Sequence, residues 1–391
     1  MDFLFWILII FAGHRIVNSN AARHGLNAKH KNTLIQLFYW HMLIGLAYAF
    51  YAKGTDASFY WNGFGNRGFV GETWFSFYGI STTFMFFLNF PFSQVLGLSY
   101  WTGSLLYSLV GYVGFVYLFL IIKENFPANI RLFGYALFPL ILFLPNLHFW
   151  SSGVGKDSLS FFCIAGFFYA LTSPNKRVLL LMLTFILLYH VRPHMALIMV
   201  VGGGAALLFS GDLKPLQKAF AIFVLVIGSF FIYDRVFSFL GIDDPSNLEA
   251  FEEKAEFYSH HLATSRVGSA VDISSYSFPM RLFTYLYRPL FIDAHNFATL
   301  LSSFENFFYL LLTFTAIYKG NIINAFKKSP MVIKAGLFSF VMAALAFSNS
   351  LSNLGIIMRM KNMTMIYFLL FLFFAMSLKV FETRVKREKR R

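Results

Sequence analysis

Ser99 to Ile122 reads SYWTGSLLYSLVGYVGFVYLFLII, 24 residues without a charged side chain. As a helix this run is about 36 Å long, enough to cross a hydrocarbon layer of about 30 Å. It starts at Tyr100-Trp101, rings suited to a membrane interface, and stops at Lys123. Reading outward from it, similar apolar runs recur along the chain. They predict helical spans at 3–13, 33–52, 99–122, 131–145, 158–172, 178–190, 195–210, 219–240, 298–318, 331–348 and 363–379. The fold class expected is an all-α polytopic membrane protein with about eleven transmembrane helices.

Composition agrees. The 391 residues are 58% hydrophobic, 20% aromatic and 13% charged, with 53 phenylalanines. A soluble domain is about a quarter charged. Strands of a transmembrane barrel alternate apolar and polar residues, whereas these runs are continuous. The net charge of +14 is explained by basic loops on one side of a helical membrane protein, so no nucleic-acid partner is expected. Cys163 is the single cysteine, and no Cys/His spacing resembles a zinc site. Met1 to Gly13 lacks a basic leader and a small-residue cleavage site, and reads as a short retained helix.

Charge sets the orientation. Segments 14–32, 123–131, 173–177, 211–218, 319–334 and the tail from Lys379 onward hold 21 of the 32 basic residues but only 4 of the 18 acidic ones. Basic loops mark the cytoplasmic side, which places the N-terminus outside and the C-terminus in the cytoplasm. The alternation holds only if Phe75 to Phe92 does not cross. Residues 54–98 are therefore read as a long external loop with an interfacial helix, 241–297 as a second external loop, and 380–391 as a basic cytoplasmic tail.

A small set of ionisable residues then falls on the external side: Asp56, Lys156, Asp157, Arg192, His194, Arg281, Arg288 and Arg359. Ionisable groups at membrane depth are costly, and a one-sided set points to function. Asp56, beyond the second span, suits a general base for a hydroxyl, or else a helix start. Lys156 and Asp157 follow Gly153 and Gly155 in the break between two apolar runs. That break offers a helix N-terminus and a cation to a phosphate, or is an ordinary turn; its spacing is not that of a P-loop. Arg192, beside Pro193 and His194, could present a guanidinium fork to phosphate or snorkel to lipid headgroups. Arg281 and Arg288, seven apart, share a helix face, which also fits an interfacial helix on anionic lipid. Glu305 falls inside a span, where a cationic partner is expected, with an arginine of this set as the candidate. Asn349, Asn353, Gly355, Arg359 and Lys361 mark the break before the last span.

The pattern resembles bacterial polytopic enzymes of extracellular glycan assembly. Asp56 with Tyr60 resembles the first external loop of GT-C glycosyltransferases, in which an Asp or Glu at a helix end is the catalytic base. Pro145, Phe149-Trp150-Ser151 and Lys156-Asp157 resemble a motif of uncharacterised membrane proteins of that group. Arg288-Pro289, Asn353-Leu354-Gly355 and Arg359 resemble O-antigen polymerase-like proteins. Two departures are visible: an extra helix precedes the Asp56 loop, and Asp56 lacks acidic neighbours. The resemblance implies a GT-C-like fold in a bacterial inner membrane. It also implies glycosyl transfer from a polyprenyl-phosphate- or pyrophosphate-linked saccharide donor to a glycan acceptor at the external face. Asp56 would be catalytic. Lys156, Asp157, Arg192, His194, Arg281, Arg288 and Arg359 would bind the donor phosphate, in contact with membrane lipids. A divalent cation stays open as cofactor, and no metal-ligand set stands out. The rivals are a polymerase of lipid-linked repeat units that uses the arginines alone, a lipid-linked-glycan flippase or transporter, and an assembly subunit.

Overall fold

The computed structural model describes residues 1–63, 73–132, 134–209 and 275–390, with isolated positions 216, 218, 219, 271 and 273. The expected span 219–240 and the acidic start of 241–297 lie outside the described residues. The chain divides into two compact units. Unit 1 is Met1–Glu124 with Ala136–Met195, and unit 2 is Asn125–Tyr135 with Ala196–Arg391.

Unit 1 is helical. Its elements are α1 (Asp2–Arg23), α2 (Ala28–Tyr51), α3 (Asp56–Asn62), α4 (Thr82–Phe90), α5 (Tyr100–Asn125), α6 (Pro145–Trp150), α7 (Lys156–Leu171), α8 (Pro174–Val191) and the start of α9 (Pro193–Leu208). Local chemistry sets the boundaries. Asn27 caps α2 by accepting from His30 N–H at 2.9 Å. Proline opens α6, α8 and α9, where its missing N–H costs nothing. The start of α5 is capped from a distance: the Asp2 carboxylate accepts from Ser99 N–H at 3.0 Å and from its hydroxyl at 2.7 Å.

Unit 2 contains the rest of α9, α10 (Phe278–Tyr287), α11 (Phe297–Lys319), α12 (Ile322–Lys328), α13 (Met331–Ser350) and α14 (Leu354–Glu388). Helix α13 packs on α14, with α10 against α13 and α11 and α12 against α14. Asn353 starts α14 by accepting from the N–H groups of Gly355 and Ile356.

Seven described helices are long and apolar enough to cross a membrane: α1, α2, α5, α8, α11 (over Thr299–Lys319), α13 and α14. Helix α1 buries only Ile9, Gly13 and Val17, and turns Phe3, Leu4, Ile7 and Phe11 outward. So large an apolar face suggests lipid as its surroundings. Helices α7 and α9 are apolar but have only 16 residues each. The sequence places the first helix at 3–13 and the last at 363–379, and both prove longer. Helix α14 takes in Arg359, Lys361 and most of the basic tail. Residues 75–92 form no continuous span: a 3₁₀ turn at Trp74–Phe77 precedes α4, and a π turn at Pro91–Val95 follows it.

The expected span 131–145 is corrected. Short strands Arg131–Leu132 and Tyr135–Ala136 precede a turn at Leu137–Leu140, a 3₁₀ turn at Ile141–Phe143 and the short α6. Ile141, Leu142, Leu147 and His148 are nonetheless buried. Irregular backbone among apolar helices needs its freed carbonyls satisfied. Side chains do this: Trp40 Nε1 donates to Phe143 O at 3.2 Å, and His148 Nε2 donates to Leu142 O at 2.7 Å. With its Nε2 proton so placed, His148 Nδ1 accepts from His41 Nδ1, 2.8 Å away. Phe115 stacks on the His148 ring at 3.9 Å. Gly111 lets the segment close on α5, since a Cβ there would lie 2.1 Å from Ser151 O.

The two ends of unit 1 are distinct. One gathers the end of α2, the starts of α5 and α7 and the end of α8. Tyr100 hydroxyl donates to Ala49 O, and Ser81 N–H donates to His190 O at 2.6 Å. The other end gathers His24, Glu124, Tyr169 and Arg177. Glu124 Oε1 lies 3.3 Å from His24 Nδ1 and 3.2 Å from Arg177 Nη2, and the guanidinium lies 3.8 Å above the Tyr169 ring.

The role of His148 is testable by thermal unfolding in detergent. His148→Phe keeps the stacking but orphans the Leu142 carbonyl and the His41 N–H, and should cost about 2–4 kcal/mol. In the His41→Phe/His148→Phe pair the loss should fall short of the sum of the single losses, because their shared bond is lost only once.

Candidate functional site

The stretch Pro145 to Ser158 is built to end at Lys156. Helix α6 stops at Trp150, and the chain turns through Gly153 at φ +71°. A side chain here would meet both an unfavourable backbone region and the Tyr48 ring, 2.3 Å from the added Cβ. Ser158 hydroxyl ties the turn by contacts of 2.9 Å to Gly153 O and 3.0 Å to Gly155 O. Helix α7 then starts with Lys156 and Asp157 in its first turn.

Lys156 Nζ donates to Ser81 Oγ at 2.8 Å and to Thr82 Oγ1 at 2.9 Å. It sits 5.4 Å from the centre of the Tyr60 ring, within cation–π range. Tyr60 is one turn along α3 from Asp56. The first helix residue, Asp56, is half-buried. Thr55, the residue before it, makes no side-chain cap; its hydroxyl donates to Ala52 O at 2.7 Å and to Asp56 Oδ1 at 3.2 Å. Asp157 and Arg192 form a buried pair at 2.5 Å. His194 feels the charges of Arg192 and Lys156. Unit 1 therefore gathers Lys156, Asp157, Arg192 and His194, with the Asp56 helix reached through Tyr60.

Sequence reasoning missed Ser81 and Thr82, although Gly79-Ile80-Ser81-Thr82 is a visible break before an apolar stretch. Ser81 has φ +60° and ψ −119°, the one non-glycine positive φ among the described residues. An L-residue there is strained, at a cost on the order of 1–3 kcal/mol, and such strain clusters at functional sites.

Unit 2 holds the other three arginines. Arg288 makes a two-pronged pair with Asp293, Nη2 to Oδ1 at 2.5 Å and Nε to Oδ2 at 3.1 Å, and its Nη1 donates to Tyr276 hydroxyl at 3.2 Å. Arg281 Nε donates to Tyr276 O at 2.9 Å, so Tyr276 draws both arginines together. Arg359 lies half-buried in the second turn of α14. Burial works to raise the Asp293 carboxyl, but the Arg288 bonds and the Leu290 N–H overcome it, leaving it below its ordinary value. The same hydrogen bonds from Arg288 to Asp293 hold the guanidinium above its own.

Deeper in unit 2 is Lys361, which is wholly buried. Its ammonium donates to Asn306 Oδ1 at 2.7 Å, Arg288 O at 3.0 Å and Leu286 O at 3.3 Å. Asn306 Nδ2 in turn donates to Pro289 O at 2.8 Å. Glu305 accepts from Tyr309 hydroxyl and interacts electrostatically with Lys361. Lys361 is thus one cation within electrostatic reach of Glu305. Among the described residues no three His, Cys, Asp or Glu side chains gather as a metal-ligand group.

Comparison with known proteins finds no matching family model, no matching curated protein and no matching solved structure.

Two consequences for unit 2 can be measured. Lys361→Met should lower unfolding stability in detergent by about 3–5 kcal/mol, since it strips three buried oxygens of their donor. Asp293 contributes stability fully above its unfolded value of about 3.9, and loses it as pH falls through its lower folded value. Acid titration of the unfolding midpoint should therefore show a destabilising limb below about pH 4 that Asp293→Asn flattens.

Proposed function

We propose that this protein transfers a glycosyl group from a polyprenyl-phosphate- or pyrophosphate-linked donor to a hydroxyl acceptor at a membrane face. The observation that carries the reading is the placing of Lys156. The ammonium is held by Ser81 and Thr82 against the ring of Tyr60, on the helix that begins with Asp56. His194 lies within electrostatic reach of both Lys156 and Arg192.

In this reading the acceptor oxygen attacks the anomeric carbon and gives its proton to the Asp56 carboxylate. The bond from that carbon to the phosphate oxygen breaks, and its electron pair leaves with the lipid phosphate. Lys156 meets that developing charge, the electrostatic contribution expected to be largest. Arg192 is held in place by Asp157 and adds a second positive charge for the phosphate. The bacterial inner membrane as location, with the N-terminus outside, belongs to the same proposal.

A second reading is polymerisation of lipid-linked repeat units by arginines without a carboxylate base. The convergence of Arg281 and Arg288 on Tyr276 favours it. The bidentate engagement of Arg288 by Asp293 weighs against it.

Purified protein in liposomes, given a panel of polyprenyl-phosphate-linked sugars, separates the readings. Asp56→Asn should cut transfer by about 10²–10⁴-fold with donor binding retained. Full activity in that variant would remove Asp56 from the mechanism and favour polymerisation. Lys156→Ala should weaken donor binding by about tenfold or more.

A further inference from the structure

Ser81 and Lys156 have a geometry that phosphate binding does not require. Glycine would adopt the Ser81 backbone at no steric cost, yet the position carries a hydroxyl. That hydroxyl lies 2.8 Å from a primary amine. Ser81 immediately precedes α4, so it sits on a sharp, strained turn into a helix. A nucleophilic serine on an elbow has this arrangement, with the N–H of the next residue available to an oxyanion. The first-turn N–H groups of Thr82 and Thr83 have no acceptor within the helix. Serine paired with lysine is a known variant of the serine–base arrangement. The third element, an orienter for the base, is present as well: Thr82 Oγ1 lies 2.9 Å from the Lys156 nitrogen.

We infer that Ser81 and Lys156 form a nucleophile–base dyad that cleaves a small acyl ester, of the size of an acetyl group on a hydroxyl. The size follows from access: Ser81 is 9% exposed, which suits a short acyl chain. Ser81 Oγ bonds to the ester carbonyl carbon while its proton passes to the Lys156 amine. The oxyanion forms against the Thr82 and Thr83 N–H groups. The ester C–O bond breaks, and the alcohol leaves with the proton from Lys156. Water then attacks the acyl-serine, Lys156 takes its proton and returns it to Ser81 Oγ, and a carboxylic acid is released.

This activity goes beyond glycosyl transfer and does not rest on it. A phosphate site uses Lys156 as ammonium, whereas the dyad needs the amine. The test is active-site labelling of the full-length protein in detergent with a fluorophosphonate, followed by peptide mapping, and hydrolysis of p-nitrophenyl acetate. Wild type should be labelled at Ser81 and should hydrolyse the ester. Ser81→Gly relieves the backbone strain and so keeps the fold, which circular dichroism and gel filtration check, and it should lose labelling entirely. Lys156→Arg keeps the charge and removes the base, so labelling should slow by about 100-fold. Failure of wild type to label at Ser81, or equal labelling of Lys156→Arg, overturns the dyad. Neither outcome bears on the glycosyl-transfer assay, which reads a different product.

Discussion

Backbone hydrogen bonding among apolar helices is the constraint on which unit 1 depends. Where the chain leaves helical form between Leu137 and Gly155, each freed carbonyl loses its partner, and lipid supplies none. Trp40 supplies one donor from α2 and His148 a second from within the segment itself. His41 fixes the tautomer that lets His148 do so. The segment can then lie between α2 and α5, with Gly45 and Gly111 giving it room. Its far end delivers the Gly153 turn and the start of α7. The position of Lys156 is thus a consequence of how a broken segment is satisfied deep in the unit.

Arg192 and Lys361, both buried, and the half-buried Lys156 are held in three ways, and the difference is informative. Arg192 is neutralised by a carboxylate. Lys361 has no ion pair within hydrogen-bonding distance among the described residues, but all three of its N–H directions meet oxygens, two of them backbone carbonyls. Such a lysine clamps the Leu286–Pro289 turn between α11 and α14 and is explained by structure alone. Lys156 instead meets two hydroxyls and a ring face. Hydroxyls can exchange partners with a ligand more readily than the backbone carbonyls that hold Lys361, which sets Lys156 apart from it.

The long helices are legible in the sequence because apolar length alone decides them; α5 is the clearest case. The loop charges and interfacial rings predict that 75–92 does not cross, and the structure has short helical turns there in place of one continuous helix. The break at 137–155 is not, since an irregular buried segment and a buried helix have the same apolar composition. The chemistry of Lys156 and Asp157 is visible as a charged pair after two glycines. The partners of Lys156 are not, because Ser81 and Thr82 lie some 75 residues away and a backbone angle leaves no trace in a residue name. Lys361 is hidden for the same reason: its acceptors belong to α10 and α11, and two of them are backbone oxygens.

The two ends of unit 1 complete the physical case. At one, Glu124 serves both His24 and Arg177, and the Tyr169 ring covers the guanidinium. Charges there are mutually satisfied by residues from three connections, the arrangement expected of a structural network. At the other end, Arg192 pairs with Asp157, and Ser81, in a strained conformation, places its hydroxyl beside Lys156. Stored strain lowers stability, and it is not needed to join these helices. Strain of this kind beside a half-buried lysine suits a site for an anionic or carbonyl-bearing ligand, since it persists only where the surrounding structure holds it.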